Sequence, residues 1–113
     1  MGNATSNVDF DPVQVLGCTE SEAAVLLRGR RVTPGEVETI ALSHYQWWRH
    51  LRDPHSYWLT TSQAARVLHV APSVVRRMLE QGALPYVVHA SGIRLMRRHE
   101  IVERAQQGPA AGL

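Results

Sequence analysis

Residues 58–104 read WLTTSQAARVLHVAPSVVRRMLEQGALPYVVHASGIRLMRRHEIVER, and the fold turns on this stretch. Thr60 and Gln63 have the spacing of a capping box, in which each side chain satisfies the other's free backbone N–H. They open a helix over 62–68 with Ala64, Ala65 and Leu68 as its apolar stripe. His69-Val70-Ala71 is the turn, with Val70 expected as its buried plug. Pro72 suits the first position of a second helix, where its missing N–H is no loss. Val75, Met78 and Leu79 share one face of that helix, over 72–81, and Gly82 stops it. Ser73, Val74, Arg76, Arg77 and Glu80 face elsewhere. Two helices around so short a turn form a helix-turn-helix, whose second helix enters the DNA major groove.

The pair is followed by two apolar runs, 84–89 and 93–97, around Ala90-Ser91-Gly92. A three-residue loop with glycine at its end predicts a β-hairpin. Arg94 then starts the return strand near the tip. A closing helix completes a winged domain over 56–107, with a wing at 84–97 and a disordered tail at 108–113.

The segment resembles the winged helix-turn-helix domain of the excisionase and MerR-like family. Leu59, Thr60, Ala64, Ala65, Leu68, Val70, Val75, Met78, Gly82, Leu84, Pro85, Arg94 and the Glu100-Ile101 pair fit its pattern. The likeness covers about two-fifths of the chain. Gln63 stands where the family has an acid, Ala71 where it has a serine cap, and Val74 where it has threonine. Leu95 stands where a second wing arginine is common. The resemblance implies an excisionase-like factor of DNA recombination, a transcriptional regulator, or both, encoded by a bacterium, a phage or another mobile element. The implied partners are double-stranded DNA and an integrase or another protein, with self-association on DNA. DNA contacts are expected from Thr61, Ser62, Gln63, Ser73, Val74, Arg76, Arg77, Arg94 and Arg97.

Charge agrees with this assignment. Residues 58–113 carry seven Arg against three acids, a net +4, and residues 1–57 five Arg against seven acids, a net −2. The basic half is the one with the helix-turn-helix, as a nucleic-acid footprint requires. The first residues, GNATSN, have no basic-then-apolar leader, and no run is long enough to span a membrane. The single cysteine, Cys18, fits a reducing cytoplasm, with the protein on the nucleoid when bound to DNA.

Upstream, residues 1–18 show no sustained periodicity and are expected as a flexible tail, followed by a helical extension over 19–55. Thr19 and Glu22 form a capping box for a helix through Leu27. Thr33-Pro34-Gly35-Glu36 starts another, expected to run to about Leu51 with Val37, Ile40, Ala41, His44, Trp47 and Trp48 on one face. Tyr45, Trp47 and Trp48 either seal this extension against the winged domain or form a partner surface. An antitoxin-like chain is the alternative function, its N-terminal helices binding a toxin while the winged domain represses its operon. The fold class expected is mainly α with a small β-hairpin. The six histidines lack zinc-site spacing and no catalytic constellation or phosphate loop is present, so neither a metal, a cofactor nor enzyme activity is expected.

Overall fold

The computed structural model describes residues 10–107, and the expected tail at 108–113 and residues 1–9 lie outside them. The chain divides into two compact units between Gln46 and Trp47.

The first unit holds three helices: α1 (Pro12–Leu16), α2 (Glu20–Leu27) and α3 (Pro34–His44). α1 packs against both of the others. It lies in the segment expected to be flexible, and so corrects that expectation for 12–18. Asp11 accepts from the Val13 N–H at 3.0 Å, Pro12 takes the first position, and Gly17 ends the helix at φ 65°. Val15 and Leu16 are buried, which holds so short a helix in place. Both expected capping boxes form. Glu22 and Glu36 accept from the Thr19 and Thr33 N–H at 3.0 and 2.8 Å. The Thr33 backbone bond holds the Glu36 carboxyl below the usual carboxylate range. This cap is therefore intact at neutral pH and weakens only as pH falls through that lowered value. Burial, and then the charge of Glu22, pushes the Cys18 thiol up, away from the reactive thiolate form.

α3 ends at His44, seven residues before the expected Leu51. The run His44-Tyr45-Gln46-Trp47-Trp48 is poor in strong helix formers, and its aromatic rings lose side-chain freedom in a helix. Val37, Ala41 and Tyr45, four residues apart, are the buried positions, and the chain turns extended at Tyr45. Trp47 and Trp48 fall in a 3-10 turn, Trp47–Arg49, within the second unit.

The second unit is a winged helix-turn-helix. Its elements are β1 (Trp58–Leu59), α4 (Thr61–Leu68), α5 (Pro72–Glu80), β2 (Val87–Val88), β3 (Arg94–Arg97) and α6 (Arg98–Gln106). The strands form an antiparallel sheet in the order β1-β3-β2. The hairpin is thus joined by a third strand, β1, which pairs Trp58 with Arg97 and Leu59 with Met96. Leu59, Ala64, Ala65, Val75, Leu79, Leu84, Met96 and Ile101 form the core between sheet and helices. Full burial of a side chain such as Leu79 is worth about 1.5–3 kcal/mol.

The turn between α4 and α5 closes through the backbone. His69 sits at φ 59°, its N–H bonding the Arg66 carbonyl at 3.3 Å, and the Val70 N–H bonds the Ala65 carbonyl at 3.0 Å. These two bonds define a Schellman end, usually built on glycine. Val70 is 37% exposed, not the buried plug expected, because the backbone bonds close the turn without its side chain. The left-handed conformation is costly for any residue with a Cβ, and most for a β-branched one. His69→Val is therefore expected to lower stability by about 1–2 kcal/mol, and His69→Gly to leave it unchanged or slightly raised. Thermal unfolding of the two variants checks this, and equal midpoints would contradict it.

Candidate nucleic-acid interface

α5 is anchored by Val75 and Leu79, both buried, and by the half-buried Met78. A helix of about 3.6 residues per turn then points Ser73, Arg77 and Glu80 the opposite way, with Arg76 and Val74 on the flanks. Ser73, Arg76 and Arg77 are exposed, while Val74 is half-buried. Among the described residues no ion pair or hydrogen bond engages either guanidinium, although Glu80 lies one turn on. Ala71 caps the helix without a side-chain bond, and Pro72 follows it. The first turn therefore ends bare, with the Ser73 hydroxyl at its rim. At the other end the Gly82 and Ala83 N–H groups bond Leu79 and Met78 at 3.1 and 2.8 Å, a second Schellman closure.

The register of the sheet sorts the wing residues. Val88 pairs with Arg94 and Leu59 with Met96, so Arg94, Met96, Val88 and Tyr86 share one face. Arg94 lies over the Tyr86 ring at 5.5 Å. Met96 is in the core with α4 and α5, so this is the helix side of the sheet, and Arg94 extends it toward the hairpin tip. Arg97 belongs to the opposite face. Its guanidinium lies 5.7 Å from the Trp58 ring centre and 3.5 Å from Glu100. Arg97, expected as a DNA contact, is thus engaged within the domain.

Gln63 is also turned inward. It is 7% exposed, its Oε1 accepts from the Thr60 N–H at 2.9 Å, and its Nε2 donates to the His50 carbonyl at 2.9 Å. Both ends of the amide are thus engaged within the domain. Of its neighbours at the start of α4, Ser62 is exposed and Thr61 half-buried.

Sequence reasoning missed the support of the wing tip. Trp47 Nε1 donates to Ser91 Oγ at 3.2 Å, and that oxygen lies 2.9 Å from His89 Nδ1. The Ser91 N–H donates to the same nitrogen at 3.0 Å. Nδ1 is thereby an acceptor, which leaves the ring proton on Nε2. His89 is itself buried. Gly92 closes the loop at φ 98°, its N–H bonding the His89 carbonyl at 2.8 Å. Trp48 packs edge-on against Trp47 at 5.6 Å and is itself 56% exposed.

A helix-turn-helix whose second helix presents unengaged arginines, beside a braced basic hairpin, defines a DNA-binding domain. Residues 58–109 match the family model of a helix-turn-helix domain. No curated protein and no solved structure matches the chain. No helix among the described residues is long and apolar enough to cross a membrane.

Proposed function

We propose that the protein is a sequence-specific DNA-binding factor, excisionase-like or regulatory, that acts by binding and not by catalysis. α5 lies in a major groove with Arg76 and Arg77 toward base edges, and the wing sets Arg94 along the adjacent backbone or minor groove. The observation that carries this reading is the division of labour among the polar groups. Gln63, Arg97 and His89 are consumed inside the domain, whereas Ser73, Arg76 and Arg77 have no partner among the described residues. An arginine fork matches guanine O6 and N7, and a base contact of that kind discriminates by about 1–3 kcal/mol.

The test is capture of fragmented genomic DNA by the full chain, followed by sequencing. Recovery of a shared motif supports the reading, and recovery of sequences at random contradicts its specificity. An integrase gene beside the recovered site would favour the recombination role. A site lying over the protein's own promoter would favour the regulatory one.

The wing makes a separate prediction. Arg94→Ala is expected to flatten the salt dependence of binding by about one counterion, as one phosphate contact is lost. Stability should fall by no more than about 0.5–1 kcal/mol, the worth of an exposed cation–π contact with Tyr86. Titrations at several salt concentrations, paired with thermal unfolding, measure both. An unchanged salt slope with a large loss of stability would make Arg94 structural.

A further inference from the structure

The three tryptophans of the chain differ sharply in their surroundings. Trp58 is buried and Trp47 half-buried, whereas Trp48 is 56% exposed. Trp48 is nevertheless held in place. It meets the Trp47 ring at 5.6 Å between centres and 87° between planes. Trp47 in turn is tied to the wing tip, 3.2 Å from its Nε1 to Ser91 Oγ. Trp48 therefore stands one ring away from the tip of the wing, in the same compact unit. A large apolar ring that faces water is unfavourably placed unless a partner covers it. One that is ordered beforehand has less side-chain freedom to lose when the partner arrives.

The charge around the ring says what that partner is. Residues 47–52, WWRHLR, carry two Arg and no acid, and residues 81–99, which contain the wing, carry three Arg and no acid. Arg49 and Arg52 are exposed. Asp53, the first acid after the turn, lies 4.0 Å from His50. A polyanion can thus approach both segments together. Of the surfaces of a duplex, the phosphates offer an indole no apolar contact. The sugar walls and base edges of the minor groove do, and apolar side chains are commonly set there.

We propose that Trp48 is a DNA contact, an apolar ring that the wing tip brings against the adjacent minor groove. This rests on the reading of α5 and the wing as the DNA-facing elements. The ring packs on sugar and base surface beside the α5 site. Its contribution is apolar, so it adds affinity without releasing a further counterion from the phosphates. In this respect it differs from every arginine of the interface.

The experiment uses the full chain and a captured specific duplex, with affinity measured at several salt concentrations and tryptophan fluorescence quenched by acrylamide. Trp48→Ala is expected to weaken binding by about tenfold, in the range of an aromatic ring stacked on nucleic acid, and to leave the salt slope unchanged. Trp48→Phe should keep most of the affinity. The fluorescence difference between wild type and Trp48→Phe isolates the Trp48 signal. That signal should be open to acrylamide in the free protein and protected once the duplex is bound. Circular dichroism establishes that both variants are folded, and the wild-type protection needs no variant with lost packing. Full affinity from Trp48→Ala, or a Trp48 signal equally open to acrylamide with and without duplex, would overturn the proposal. A salt slope that falls along with affinity would also overturn it, since Trp48 would then be a brace for cationic contacts. Protection that grows with protein concentration before any DNA is added would place the ring against protein, and the proposal falls. The Arg76→Ala, Arg77→Ala double variant, run beside these, tests α5 separately. If it loses discrimination while Trp48→Ala binds as wild type does, the reading of α5 stands and the inference about Trp48 alone fails.

Discussion

Replacing Gln63 by glutamate, the acid that the family pattern carries there, is expected to destabilise the winged domain by about 1–3 kcal/mol. A carboxylate can still accept from the Thr60 N–H, so the capping box survives. It cannot donate to the His50 carbonyl, which Gln63 Nε2 reaches at 2.9 Å. Two oxygens would then face each other at a position only 7% exposed. The substituted carboxyl can relieve this only by taking up a proton, so the loss should be greater at pH 8 than at pH 5. For a domain of this size each kcal/mol corresponds to about 4–8 °C in thermal midpoint. Gln63→Ala should lose both bonds and be destabilised as well. If glutamate raised the midpoint, as a simple return to the family pattern would suggest, the bond to His50 would have no energetic weight.

This residue also marks how far the local pattern of a sequence reaches. Thr60 and Gln63 announce a capping box because both partners lie within one turn. The bond to His50 spans thirteen residues and leaves no local trace. The same holds for β1. Two residues, Trp58 and Leu59, are too few to show alternation, and only the pairing with Arg97 and Met96 makes them a strand. The wing-tip link from Trp47 to Ser91 spans forty-four residues and was equally hidden.

Two readings failed for other reasons. α1 carried its signals, Asp11 before Pro12 and Gly17 behind, but five residues give no periodicity to set beside them. The end of α3 was misjudged because the aromatic run preserved apolar spacing past His44 while its helix propensity had fallen. What was legible was the helix-turn-helix and its hairpin, since capping, turn chemistry and apolar spacing agree there. Within the candidate site, Ser73, Arg76, Arg77 and Arg94 sit where the spacing placed them. The face on which Arg97 lies depends on sheet register, which a single residue's position does not fix.

The largest expected effect on binding is at α5. Arg76→Ala and Arg77→Ala should each weaken specific binding by about 1–3 kcal/mol if both reach base edges. Neither side chain has a partner among the described residues, and both are exposed, so stability should move by less than about 0.5 kcal/mol. The double variant should fall toward the affinity of the wild-type chain for random duplex. An arginine that touches only phosphate behaves differently, since its loss weakens specific and random binding alike.

The most direct test of the account is a pair of isotherms for the Arg76→Ala, Arg77→Ala double variant, on a captured specific duplex and on a random one at fixed salt. The account predicts that specific affinity drops by at least about 2 kcal/mol while random affinity drops less, so that discrimination largely disappears. Wild-type affinity for both duplexes, from a variant shown to be folded, would contradict the assignment of α5 as the helix that reads DNA.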